Sequence, residues 1–302
     1  MKLSTHNLGI IAVFIGACCW ALGGASGQYL FINNNMTSDW LVPVRLFCAG
    51  IIMLTFAVLR GHNIFEALKK PRDIIDIIIF AIIGNAGTQY GYYTCIEYSN
   101  VAFATFLAYT TPVIVLFFTV IKELRLPKFK ELLSIILVLI GTFFISTHCS
   151  LDSMSVSPQA LNWGLFGALC YAVYMVQPVR MLKEFPIVTI VGWGMLLGSV
   201  PLAIIFTPWV NNQIIVDPML YIMMAGVIGI GTIIAFSVFE VGIHIIGPVK
   251  ASILSAIEPV FSVLICLIGF GMPIVGWDIL GLVFILAAVF VVTIKKTNLK
   301  IS

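Results

Sequence analysis

From Ala251 to Phe261 the chain reads Ala-Ser-Ile-Leu-Ser-Ala-Ile-Glu-Pro-Val-Phe, a carboxylate and a proline inside an otherwise apolar run. A charge in hydrocarbon costs about 2.5–3.5 kcal/mol on insertion scales, so Glu258 requires a partner, a wet cavity or a proton. Ala251, Ser255, Glu258 and Ser262 recur at helical spacing and define one small, polar face. Pro259 lacks an N–H and clashes with the carbonyl one turn back, so it should kink its helix and free carbonyls able to hold a cation or an ammonium group. Pro112 should do the same in the first half of the chain.

Other side chains with chemistry lie in equally apolar surroundings. Trp20 follows Gly16 and precedes Gly23 and Gly27 at helical spacing, and Tyr171 and Tyr174 form a similar face with Gly167 and Pro178. Such rings can stack on organic molecules or carry a cation over their faces. Asn85, Gln89, Tyr92, Tyr93 and Tyr109 are hydrogen-bonding groups at lipid-core depth, where an unpaired amide is costly, so they should face protein or water. Arg45 sits about two turns into an apolar run, placed to snorkel to water, pair with an acid or hold a carboxylate. Glu240, His244 and Lys250 gather near a Gly-Pro turn and read as a solvated gate or hairpin. Each set has a plainer alternative: close helix packing through small residues, a structural kink, an aromatic seam or interhelical glue.

The elements that must position these groups follow from composition. The chain has 302 residues, 61% of them hydrophobic and only 10% charged, whereas about a quarter of a soluble domain is charged. It reads as an integral membrane protein. Apolar runs near 8–31, 39–59, 74–95, 101–121, 132–147, 160–181, 187–207, 218–241, 248–270 and 277–294 predict about ten helices, each long enough to cross a hydrocarbon core of ~30 Å. No period-2 alternation suggests barrel strands. The first run extends through Ile32, too long for a typical signal sequence, and is kept as a span.

Positive charge orders the loops. Lys2, Arg60, Lys69, Lys70, Arg72, Lys122, Arg125, Arg180, Lys183, Lys250 and Lys295 fall on one side, while the alternate loops around Asn33, Glu97, His148, Asn211 and Gly271 hold no lysine or arginine. The rule that cytoplasmic loops are positive puts both termini in the cytoplasm. This loop pattern accounts for the net charge of +3, and a nucleic-acid partner is not implied. The seven cysteines have no metal spacing, and a Cys95–Cys149 bridge, though conceivable from their shared side, is not expected. No cofactor or metal site is read.

An offset of 147 residues lays Pro112 on Pro259, Gly84 on Gly231, Ala104 on Ala251 and Phe143 on Phe290. Cys19-Trp20-Ala21 likewise parallels Cys170-Tyr171-Ala172. Five spans per half is an odd number, so two such halves insert with opposite orientation, an arrangement that puts a substrate site near the midplane between them. The expected fold is an all-α polytopic membrane protein of two inverted five-helix repeats, 1–147 and 160–302, joined by an outer linker at 148–159.

These features together resemble the EamA branch of the drug/metabolite transporter superfamily. The residues that carry the likeness are Gly9, Cys19-Trp20-Ala21, Arg45, Thr111-Pro112, Lys122-Glu123 and Gly141 in the first half. In the second they are Gly164, Cys170-Tyr171-Ala172 and Ser255-Ala256-Ile257-Glu258-Pro259-Val260. Val191-Gly192-Trp193 and Gly247 to Ser252 look most like the bacterial inner-membrane group of carboxylate, amino acid and amine transporters. The resemblance implies a cavity between the halves that alternates its access. Where the first half ends span four on Glu123, the second reads Gly269-Phe270-Gly271, so Glu123 is taken as structural.

The leading expectation is a secondary transporter, importer or exporter, of a small polar or amphipathic metabolite such as an amino acid or amine. Trp20, Asn85, Gln89, Tyr93, Tyr109, Tyr171, Tyr174, Ser255 and Glu258 are the candidate substrate-binding residues. Arg45, Glu258, Pro112 and Pro259 are candidates for coupling or gating, with protons as the coupling ion if Glu258 titrates. A homodimer is compatible with the sequence. No Walker loop supplies ATP chemistry. The competing classes are an intramembrane lipid-modifying enzyme, for which no H-E-x-x-H or G-x-S-x-G occurs, and a membrane scaffold without transport.

Overall fold

In the computed structural model, residues 5–99, 101–147, 157–210, 214–261 and 276–293 are described, and all regular structure among them is helical. The first half contributes α1 (Thr5–Asn33), α2 (Ser38–Leu59), α3 (Pro71–Ile79), α4 (Thr88–Tyr98), α5 (Val101–Ala108), α6 (Thr111–Glu123) and α7 (Phe129–Thr147). The second contributes α8 (Pro158–Val176), α9 (Met181–Glu184), α10 (Ile187–Phe206), α11 (Pro218–Ala225), α12 (Ala235–Ile246), α13 (Pro248–Leu254) and α14 (Gly276–Thr293). Among the described residues, seven helical stretches are long and apolar enough to cross a membrane: 5–33, 38–59, 71–98, 103–123, 158–184, 187–206 and 218–246. The expected spans at 132–147 and 277–294 appear as α7 and α14, and the expected span at 248–270 runs out of the described residues after Phe261. Cys149, Ser262, the linker at 148–156 and the turn at 269–271 lie outside them as well.

Helix starts follow local chemistry. Pro71, Pro112, Pro158, Pro218 and Pro248 all occupy the first turn, where a missing N–H costs nothing. The Ser157 hydroxyl and the Asp217 carboxylate each accept a bond from a backbone N–H of the turn they precede. Gly247, at φ +82, turns the chain sharply between α12 and α13, a conformation that side chains resist.

Side-chain placement is the reverse of a soluble protein. Arg45, Asn85, Gln89 and Glu240 are buried, whereas Ile51, Phe117, Ile204 and Phe290 are exposed. An apolar exterior around a polar interior suits a hydrocarbon solvent. The main helix contacts pair one half of the chain with the other: α1 with α12, α2 with α10, α4 with α8, and α7 with α14. Each pair is antiparallel. Gly9 meets Ile245 where Gly23 meets Gly231, Gly50 meets Leu196 where Gly192 meets Leu54, and Gly84 meets Tyr174 where Gly91 meets Gly167. At Gly23 and Gly231 the two backbones approach so closely that a Cβ on Gly23 would lie 2.6 Å from the Gly231 Cα.

Two kinds of interruption recur at the 147-residue offset. The helix widens into π-helical turns at Phe80–Gly87 and again at Gly226–Ile234. The chain breaks between α5 and α6 at Tyr109 and Thr110, and between α13 and the helix resuming at Glu258 through a 3₁₀ turn at Ser255–Ile257. Pro112 therefore does not kink a continuous helix from its middle, as the sequence suggested. It opens a new one, because Thr110 closes a tight turn on the Leu107 carbonyl and the ladder restarts behind it.

Candidate functional site

The two breaks meet inside the bundle. The Tyr109 hydroxyl is shared between the Ser255 carbonyl, at 2.8 Å, and the Glu258 carboxylate, at 3.0 Å. The carbonyl freed by the second break is thus taken by a side chain from the first, and the Leu107 carbonyl is taken by the Thr110 hydroxyl at 2.7 Å. These contacts satisfy the backbone that a broken helix exposes, a requirement at membrane depth. The expectation that these carbonyls wait for a cation does not hold at either position. Thr111 ties the restarted helix to α8 through the Ala168 carbonyl at 3.0 Å.

Glu258 faces a cavity of about 70 Å³ lined also by Trp20, Arg45, Gln89, Tyr93 and Tyr171. Ala104, Ala108, Gly164, Gly167 and Gly231 leave the space, since larger side chains there would fill it. Trp20 is held edge-on by Tyr171 and Phe236, with centroids at 5.8 and 5.0 Å, and its indole N–H has no hydrogen-bond partner.

Arg45 is 1% exposed, which excludes snorkelling. Its Nε donates to the Thr232 hydroxyl at 3.1 Å and its guanidinium lies 4.5 Å from the centre of the Tyr93 ring. The π-helical turn sets this geometry. Thr232 donates its own proton to the Val227 carbonyl five residues back, at 2.7 Å, leaving a lone pair for the arginine. The Tyr93 hydroxyl donates to the Gly23 carbonyl, which fixes the ring under the charge. The Nη1 of Arg45 is buried and unpartnered, and among the described residues no carboxylate forms an ion pair with it.

Of the sequence candidates, the cavity therefore gathers Trp20, Arg45, Gln89, Tyr93, Tyr171 and Glu258. Tyr109 and Ser255 stand behind Glu258, with the Ser255 hydroxyl turned back to the Ser252 carbonyl. Pro112 and Pro259 shape the breaks without facing the space. Asn85 and Tyr174 do not line it. Asn85 is fully buried beside Gly194, both ends of its amide unpaired, and Tyr174 is buried against Phe80 at 5.2 Å. Glu240 is also fully buried, so it belongs to no solvated gate or hairpin; His244 and Lys250, further along, keep that peripheral position, with Lys250 3.4 Å from His6. Thr88, Thr232 and Phe236 were missed. The repeat register carried a signal for one of them, because it sets Thr232 opposite Asn85 and beside the matched Gly84 and Gly231.

Ion pairs and hydrogen bonds fasten both ends of the bundle, some within the first half and some between the halves. Arg180 contacts Asp73 at 2.5 Å and Asp76 at 2.6 Å, joining the ends of α8 and α3, and also reaches Glu184. Arg125 pairs with Glu131 and Glu123, which keep its guanidinium protonated, Glu131 most, so Glu123 is engaged in a local ion pair at the end of α6. At the opposite end Asn34 exchanges bonds with Ile215, and the Tyr90 hydroxyl donates to Asp39 at 2.6 Å.

The sequence model of the EamA-like transporter family matches residues 7–147 and 159–294. The inner membrane transporter YicL of Salmonella typhimurium strain LT2, itself uncharacterized, is 33% identical over 294 residues, which is 97% of this chain and 98% of that protein. An uncharacterized transporter of Archaeoglobus fulgidus is 26% identical over 248 residues, covering 82% of this chain and 84% of its own. One crystal structure superposes with a TM-score of 0.77 at 16% identity, over 94% of this chain and 96% of its own, a likeness of fold alone. A polar cavity walled by broken helices inside an apolar bundle, with a family match along nearly the whole chain, leads to one statement: the chain belongs to the EamA-like transporter family and is a membrane transporter.

Proposed function

We propose that this protein is a secondary active transporter of a small zwitterion of the amino acid type, held in the central cavity and released by alternating access. The observation that carries the reading is the pairing, across one cavity, of a buried guanidinium with a free donor and a carboxylate. Arg45 Nη1 would take the substrate carboxylate as a charge-assisted bond. Glu258 would take the ammonium group, with Trp20 and Tyr171 supplying ring faces beside it. Gln89 would orient the remaining polar atoms, and the substrate side chain would lie against the alanine and glycine wall.

The architecture proposed for this mechanism is the pair of inverted five-helix repeats, 1–147 and 160–302. Its support is the antiparallel pairing of corresponding helices, the π-helical turns and breaks that recur at one offset, and the two separate stretches matched by the family. Repeats of this kind exchange conformations and so carry access from one membrane face to the other. Both termini are assigned to the cytoplasm by the loop charges, and the membrane to the bacterial inner membrane by analogy with YicL.

Purified protein in liposomes, offered labelled amino acids and amines singly, tests the reading. Saturable flux is expected for a zwitterion. Arg45→Lys keeps the charge but loses the Thr232 bond and the flat stacking surface. It should weaken substrate binding about tenfold to a hundredfold, the equivalent of about 1.5–3 kcal/mol for a charged hydrogen bond. Glu258→Gln should lose ammonium-bearing substrates preferentially. A folded protein that carries none of the panel, or an Arg45→Lys variant with unaltered binding, would remove the assignment.

A further inference from the structure

A second carboxylate lies deep in the bundle, outside the cavity. Glu240 on α12 is 0% exposed and neither of its oxygens has a hydrogen-bond partner. The Tyr174 hydroxyl lies beside it, outside the geometry of a full hydrogen bond, and is itself buried. Among the described residues no cation forms an ion pair with it. From α8 the titratable groups facing it are Tyr174 and Tyr171, and α10, packed on the same helix, carries no titratable side chain at all. α1 packs on α12 through Gly16 against Phe239 and Trp20 against Phe236 and Phe239, and its titratable side chains in that stretch are Cys18 and Cys19, while Lys250 of α13 is exposed and 3.4 Å from His6. Arg180 beyond the end of α8 is committed to Asp73, Asp76 and Glu184.

An unpaired carboxylate in a dry interior is among the most costly arrangements a fold can hold, and removing it from cost requires a positive charge. Through Tyr174 this carboxylate is linked to a buried amide. Asn85, fully buried with its carbonyl oxygen unpaired, follows Gly84, whose backbone packs on Tyr174. In the 147-residue register Asn85, Glu240 and Gly192 correspond to Thr232, Tyr93 and Arg45. The half that holds a guanidinium thus has a counterpart where the arginine is missing and a carboxylate replaces the ring beneath it.

We infer that Glu240, with the Tyr174 hydroxyl beside it, forms a binding site for a monovalent cation, a proton or a sodium ion, distinct from the substrate cavity. The Tyr171–Tyr174 stack, with ring centroids 6.0 Å apart, separates it from Glu258. This places the coupling cation on α12 and the substrate on the broken helices, and the inference stands whichever substrate is carried.

The test needs no substrate. Infrared difference spectra of the protein in lipid, taken across a pH series, report protonated buried carboxyls directly, and thermal unfolding in sodium against choline reports a sodium ion. A titrating carboxyl band that Glu240→Gln abolishes and Glu258→Gln leaves in place assigns a proton. A rise in Tm with sodium, at fixed pH, that Glu240→Gln abolishes and Glu258→Gln retains assigns sodium. If Glu240→Gln does not fold, Tyr174→Phe should shift the midpoint of whichever signal is found. Neither signal in the native protein, or signals that Glu240→Gln or Tyr174→Phe leaves unchanged, would overturn the site. Loss of substrate flux with these signals intact would fault the zwitterion reading instead.

Discussion

Tyr109 connects two interruptions that are 146 positions apart in the chain. Its hydroxyl covers a carbonyl that the 3₁₀ turn leaves without a helical partner and also holds the Glu258 carboxylate in place. Removing that oxygen leaves the buried Ser255 carbonyl and the part-buried Glu258 carboxylate each one donor short, at about 1–3 kcal/mol for an unsatisfied buried group. Tyr109→Phe is therefore expected to lower the Tm by several degrees and to leave helix content unchanged, which circular dichroism during thermal unfolding measures. A Tm equal to that of the native protein would mean water replaces the hydroxyl. The sequence marked Tyr109, Ser255 and Glu258 as polar residues in apolar runs, but their mutual contact depends on two helices breaking at matching depths. The same holds for Arg45: its burial was invisible in the sequence because its acceptor, Thr232, lies 187 positions away.

Among the elements, α1 and α12 cross where two glycines meet. A Cβ at Gly23 would collide with the Gly231 backbone, which has no flexible end to move aside. Gly23→Val should therefore separate the helices and cost about 1–3 kcal/mol as overpacking does. Gly229→Ala, where nothing lies within 4 Å of the added carbon, should stay within about 0.5 kcal/mol of the native protein. Chemical denaturation of the two variants in detergent checks the contrast, and equal losses would refute the close approach. The helices themselves were readable from hydropathy to within a few residues: 39–59 was expected and Ser38–Leu59 is found. The π-helical turns were not, because no local signal distinguishes a five-residue hydrogen bond from a four-residue one in an apolar run. What favours them is tertiary, namely Thr232 serving Arg45 and Thr88 turning into the cavity.

For the whole molecule, the cavity lies between two sets of fastenings. Arg180 with Asp73 and Asp76 closes the end rich in basic residues, and Asn34 with Ile215 closes the other. The arginine is partly exposed, so its pairs with Asp76 and Glu184, themselves partly exposed, are worth at most about 1 kcal/mol each, whereas the buried Asp73 would lose its compensating charge with the arginine. Under the proposed alternating access, Arg180→Ala should favour the state open at the basic end. In a background without native cysteines, a cysteine at position 89 should react several-fold faster with an impermeant thiol reagent added from that side. Unchanged labelling from both sides would separate these ion pairs from gating. By itself the sequence determined the solvent, the helical class, the family and the set of polar residues that a bilayer would not tolerate without a purpose, because hydropathy and charge are additive along the chain. Only the tertiary structure decided which of them share a cavity. It drew Arg45, Gln89 and Glu258 together, set Asn85 and Tyr174 outside, and exposed Glu240 as a buried carboxylate without a partner, since each of these depends on helices from opposite halves packing side by side.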